Sequence, residues 1–75
     1  MNKILCHNLY VLRKKINFTQ VELINDIALK TNYILTRQRY QAIEVGVNEP
    51  NLEFIIRIAD YYQLTLDELI LQKQH

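Results

Sequence analysis

The residues whose chemistry stands out lie together between Leu35 and Pro50: Leu-Thr-Arg-Gln-Arg-Tyr-Gln-Ala-Ile-Glu-Val-Gly-Val-Asn-Glu-Pro. Thr36 can cap a helix, Arg37, Gln38 and Arg39 fill its first turn, and Gly46 lets the chain reverse after its last. A guanidinium offers a rigid fork of donors, and a carboxamide offers a donor beside an acceptor. Carried on the leading turn of a helix that fits the major groove, both can make paired hydrogen bonds to base edges. The chemistry open to this stretch is therefore the reading of a DNA duplex. The competing reading is an ordinary exposed polar face.

Other chemistries are thinly represented. The chain has no Ser, one Cys, one Gly and no phosphate-binding glycine loop, and no enzymatic activity is expected. Cys6, His7 and His75 do not suggest a metal set, because neighbouring side chains on a helix point apart and His75 falls in a tail expected to fray. No metal and no cofactor is expected, and Cys6 reads as a small core filler. A single cysteine allows no internal disulfide, so a reducing cytoplasm is the default location. No apolar run approaches the roughly 18 residues needed to span a membrane. The opening Met-Asn-Lys-Ile-Leu-Cys-His-Asn lacks the apolar core of a signal peptide.

Something must hold the Leu35–Pro50 stretch in place, and the hydrophobic periodicity supplies four further helices. The first is expected from about Asn2 to Lys15, with Leu5, Leu9, Leu12 and Ile16 on one stripe. Thr19 followed by Glu22 is a capping box, opening a second helix over about 19–31 with Leu23, Ile24, Ile27 and Ala28 inward. The third is expected over about 36–45, with Tyr40 and Ile43 inward. The fourth starts after Asn51 and runs to about Tyr62. Leu52, Ile55, Ile56, Ala59 and Tyr62 are read as its core stripe. Phe54, Ile58 and Tyr61 form a second apolar stripe on the same helix, assigned to a dimer or partner surface. A second capping box, Thr65 to Glu68, opens a fifth helix burying Leu66, Leu69 and Ile70. Tyr33, Tyr40, Tyr61 and Tyr62 could stack on bases, but core or interface packing suits them better.

Seventy-five residues, 49% of them apolar and few of them turn formers, fit one small all-α domain covering the whole chain. The net charge is only +1, but it is unevenly distributed. Residues 1–41 carry seven basic and two acidic side chains, and residues 42–75 carry two basic and six acidic. A positive half beside a negative half suits a protein that orients itself on a polyanion.

Several spaced pieces resemble the lambda-repressor/Cro-like helix-turn-helix family (XRE type). These are Leu-Arg-Lys-Lys leading to Phe-Thr-Gln-Val-Glu-Leu, then Thr-Arg-Gln-Arg-Tyr-Gln-Ala-Ile-Glu-Val-Gly, then the long segment from Glu49 to Leu69. The resemblance covers roughly residues 9–70. It implies a compact five-helix DNA-binding domain whose third helix is the recognition helix. Carried over position by position, it implies base reading by Arg37, Gln38, Gln41 and Ala42. It implies phosphate contacts from Gln20, Thr36 and Arg39, and a structural ion pair between Arg13 and Glu44.

The chain departs from the family pattern in three places. The interval from Gln20 to Glu44 is longer than usual by more than a helical turn, with the extra residues around Leu29–Leu35. Either the second helix is lengthened, or Tyr33, Ile34 and Leu35 form an apolar loop. Ile24 stands where a small residue is usual, and the turn has no glycine. Val47 replaces a common basic residue, removing one phosphate contact.

The expected function is sequence-specific transcriptional regulation, most simply repression by promoter occlusion, with double-stranded DNA and a second copy of the chain as partners. The alternative is a small protein-interaction module, antitoxin-like or antirepressor-like, using an apolar surface on helices 4 and 5. A salt-dependent, sequence-selective mobility shift separates the two.

Overall fold

The structure, a computed structural model, describes residues 2–75. Five helices follow one another: α1 Lys3–Lys15, α2 Gln20–Thr31, α3 Arg37–Glu44, α4 Leu52–Tyr62 and α5 Leu66–Ile70. No strand occurs among the described residues. Each helix begins at an Asn or Thr whose side chain accepts a backbone N–H of the first turn: Asn2, Thr19, Thr36, Asn51 and Thr65. Thr19 and Thr65 are completed into capping boxes by Glu22 and Glu68.

The helix ends explain how a chain with one glycine turns so often. Asn17, Asn32 and Gln63 take the left-handed conformation that glycine usually supplies, and Gly46 takes it after α3. At Gly46 the reversal is tight. The N–H groups of Val47 and Asn48 both reach back to the carbonyl of Ala42, at 2.8 and 3.1 Å.

α1 packs on α3 and α5, α2 on α3 and α4, and α4 on α5. The core gathers Leu5 and Leu9 of α1, Leu23, Ile24 and Ile27 of α2, Tyr40 and Ile43 of α3, Phe54, Ile58 and Ala59 of α4, and Leu69 of α5. The connection from Asn32 to Thr36 combines both sequence alternatives. α2 runs on to Thr31, and Tyr33 and Leu35 then turn into the core while Ile34 between them stays 74% exposed.

α4 meets its expected core stripe only in part: Ala59 is buried and Ile55 and Tyr62 pack against the core, but the other members and the second stripe depart from expectation. Phe54 and Ile58 are completely buried, and Tyr61 is half-buried with its hydroxyl donating to Asp26, so these residues do not form an outward partner surface. Leu52 and Ile56, expected inside, are 66% and 47% exposed. Periodicity finds both stripes but cannot rank them. Both contribute to the core, and Phe54 meets Tyr40 with ring centroids 6.4 Å apart. Leu66 of α5, also expected inside, lies at the rim with 40% exposed.

The tail does not fray. Asn8, fully buried amid the apolar stripe of α1, donates to the carbonyls of Leu69 and Gln72 at 2.7 and 2.9 Å and accepts the N–H of Gln74 at 2.7 Å. His7 Nε2 lies 2.9 Å from the Gln74 carbonyl, which can only accept, so this nitrogen carries the proton. The last carbonyls of α5 thus find their donors on α1.

The burial of Phe54 and the exposure of Leu52 have a direct consequence for stability. Phe54→Ala is expected to cost about 3–5 kcal/mol in urea unfolding. Leu52→Ala is expected to stay within about 0.5 kcal/mol of the wild type. Equal losses would mean that the α4 face is assigned the wrong way round.

Candidate nucleic-acid interface

α3 turns one side to the core and the other to solvent. Tyr40, Ile43 and Glu44 are buried, whereas Arg37, Gln38 and Gln41 are exposed and Ala42 is half-buried. At 100° per residue, positions 38, 41 and 42 lie opposite 40 and 43, so the two faces follow from helical geometry alone. Thr36 starts the helix by accepting the Arg39 N–H at 3.1 Å through its hydroxyl oxygen. Its own hydroxyl proton remains available to an outside acceptor.

The orientation of α3 is fixed from behind by a buried ion pair. Arg13 Nε and Nη2 donate to the two carboxylate oxygens of Glu44 at 3.0 and 2.8 Å, and Nη1 donates to the Phe18 carbonyl at 2.9 Å. The two side chains are only 10% and 5% exposed. One residue therefore joins the last turn of α1, the turn before α2 and the end of α3. Gln20, the first residue of α2, adds a long contact of 3.4 Å to the same carboxylate. Burial works against the charge on Glu44, but hydrogen bonding to Arg13 and the nearby guanidinium charge outweigh it, so its pKa is lowered. Burial first, and the neighbouring carboxylate second, push the Tyr40 phenol far above its ordinary value. Its hydroxyl is held close to Glu44 without forming a well-directed hydrogen bond.

Beside this pair lies an open groove of about 360 Å³, lined by Arg13, Lys14, Thr19, Gln20, Val21 and Arg37 among others. It runs between the C-terminal end of α1 and the N-terminal end of α2. The first backbone N–H groups of α2 have no intrahelical acceptor, and the positive end of the helix dipole sits there. Gln20 and Arg37, widely separated in sequence, thus share one basic groove next to the exposed turn of α3. Lys14 joins them, and its signal in the sequence is the run Arg13-Lys14-Lys15.

Arg39 does not join this face. Its Nη1 donates to the Tyr33 hydroxyl at 3.0 Å, and its guanidinium carbon lies 5.9 Å from the Phe54 ring centroid. It is half-buried and already partnered, which corrects its assignment to phosphate. The reason is rotational: two residues beyond Arg37, a helix has turned by about 200°. Among the described residues no group of three His, Cys, Asp or Glu side chains could hold a metal ion, and no helix is long and apolar enough to cross a membrane.

A family model described as helix-turn-helix matches residues 9–69, most of the chain. The chain belongs to the lambda-repressor-like, XRE-type helix-turn-helix family. The all-helical order of five elements is that family's fold, and the fold is one of DNA-binding regulators. Comparison with curated proteins and with solved structures gave no match. Within a helix-turn-helix protein, α2 and α3 are the elements that meet DNA, and the basic groove and the exposed turn belong to these two helices.

The ion pair and the exposed turn respond differently to mutation. Glu44→Ala leaves the Arg13 charge buried and unpaired, and about 3–5 kcal/mol of stability is expected to be lost. Arg37→Ala is expected to change stability by no more than about 0.5 kcal/mol. Similar melting temperatures for the two variants would contradict this. Because the Glu44 pKa is lowered on folding, its contribution is fully present above the unfolded value, about 4.3. That contribution is lost as pH falls through the folded value. Glu44→Gln should therefore flatten the acid limb of the stability curve, and an unchanged limb would show that Glu44 does not titrate as described.

Proposed function

We propose that this protein is a sequence-specific DNA-binding transcriptional regulator that inserts α3 into the major groove. The observation that carries the reading is the exposure of Arg37, Gln38 and Gln41 on a helix whose opposite side is locked into the core. Arg37 suits guanine O6 and N7, and Gln38 and Gln41 suit adenine N6 and N7. Ala42 can add an apolar contact to a thymine methyl. Thr36 and Gln20, with the free N–H groups at the start of α2, would grip phosphates on either side of the groove. The excess of basic residues lies in the part of the chain that builds α1 to α3, and the acidic excess lies in α4 and α5. The field therefore turns the reading face toward the duplex.

The molecule measures 26 × 25 × 24 Å, so one copy cannot span two successive major grooves about 34 Å apart. A homodimer on two half-sites would do so. Repression would then be steric, by occupation of a promoter in the cytoplasm. The exposed Leu52 and Ile56 of α4 border a shallow groove of about 530 Å³ flanked by Glu53, Arg57 and Asp60. This groove favours a second, compatible role in protein contact, now on the outer face of α4 rather than at Phe54, Ile58 and Tyr61.

Selection of bound sequences from a random duplex pool tests the reading. The wild type is expected to return a palindromic motif whose binding weakens steeply with salt. Arg37→Ala should relax one position of each half-site at a cost of about 1–3 kcal/mol, and Gln38→Ala another. An unchanged motif in both variants would remove these residues from base reading. The absence of any motif in the wild type would favour the protein-contact role alone.

A further inference from the structure

The lengthened α2–α3 connection is held by a closed set of contacts. Arg57 of α4 donates through Nη1 to the carbonyl of Thr31, the last residue of α2, at 3.0 Å. Its guanidinium carbon also lies 6.0 Å from the ring centroid of Tyr33. Tyr33, 7% exposed, accepts from Arg39 of α3 through its hydroxyl at 3.0 Å. Arg39 in turn lies over Phe54, back on α4. The path runs from α4 through the connection to α3 and returns to α4. Each arginine sets its charge near an aromatic ring and gives a donor to an oxygen, the bond directed by the rigid fork of the guanidinium.

A connection of five residues without glycine would otherwise leave the first turn of α3 free to rock. Arg39 stands in that turn, two residues after Arg37 and one after Gln38. Small displacements of a reading group cost base discrimination, because paired hydrogen bonds need both contacts at once. We propose that Tyr33 is a positioning residue: with Arg39 and Arg57 it sets the angle at which α3 meets DNA, and so contributes to sequence selectivity without touching DNA. This rests on the base-reading role of α3 proposed above. It also reassigns Arg39 from gripping phosphate to aiming its neighbours.

The test is a salt series of affinities for the wild type's own best site and for competitor DNA, measured for the wild type, Tyr33→Phe, Arg39→Ala and the double variant. Tyr33→Phe keeps the ring beneath Arg57 and removes only the hydroxyl. Selectivity should fall about tenfold, the effect of losing one charge-assisted hydrogen bond. The slope of log affinity against log salt should not change, because no phosphate contact is lost. Arg39→Ala should behave alike, and the double variant should lose no more than either single change. An Arg39 that held a phosphate would instead lower the salt slope by about 0.9 and weaken all sequences together. That result, or wild-type selectivity in Tyr33→Phe, would overturn the proposal while leaving base reading intact. A wild type with no sequence preference would remove both. If Tyr33→Phe melts early, Arg57→Lys keeps the charge but loses the rigid fork that reaches the Thr31 carbonyl beside the ring. It should show the same loss of selectivity, and its failure to do so would equally sink the clamp.

Discussion

The buried pair of Arg13 and Glu44 is the constraint on which the remaining geometry depends. A guanidinium and a carboxylate removed from water are tolerated only with good mutual geometry and further hydrogen bonds. Arg13 supplies these by serving both oxygens of Glu44 and the carbonyl of Phe18. The three partners belong to α1, to the turn into α2 and to the end of α3. Satisfying the charge therefore sets the mutual placement of three segments. Such a pair adds little net stability compared with apolar packing, but it is intolerant of misplacement. Its value here is orientational, because with the back of α3 tied down, the opposite side must face out.

The front of α3 is governed by a second device of a different kind. The connection from α2 is too long to orient the helix by tight turning. Alternate burial of Tyr33 and Leu35 draws it into the core, and Arg57 closes the C-terminal carbonyl of α2. The same Phe54 ring that is buried beside Ile58 lies 5.9 Å from the Arg39 guanidinium carbon. The burial of Phe54 and the inward turn of Arg39 thus meet at one ring.

Much of the fold was legible in the sequence because capping is a local rule. Thr19 with Glu22, and Thr65 with Glu68, mark helix starts whatever surrounds them. The faces of α2 and α3 were legible for the same kind of reason, since each carries one apolar stripe. α4 carries two, and both send residues into the core, so periodicity alone does not say which members stay out. Asn8 was invisible as an anchor because a polar residue within a stripe reads as an interruption until its partners at Leu69, Gln72 and Gln74 are known. At the candidate site, the exposure of Gln38 and Gln41 follows from their spacing relative to Tyr40 and Ile43, whereas Arg37 is exposed at the helix start although it lies only about 60° from Tyr40. The commitment of Arg39 depends on Tyr33, whose position no periodicity supplies.

In the proposed reading, a locked helix offers its leading turn to a duplex. The most direct measurement follows the side-chain resonances of Arg37 Nε–H and of the Gln38 and Gln41 carboxamides while labelled protein is titrated with the duplex it selects. The expected result is that these signals shift strongly and together, along with the backbone amide of Gln20, while Leu9 and Ile58 in the core stay in place. Shifts confined to α4 and α5, with the three α3 side chains unmoved, would contradict it.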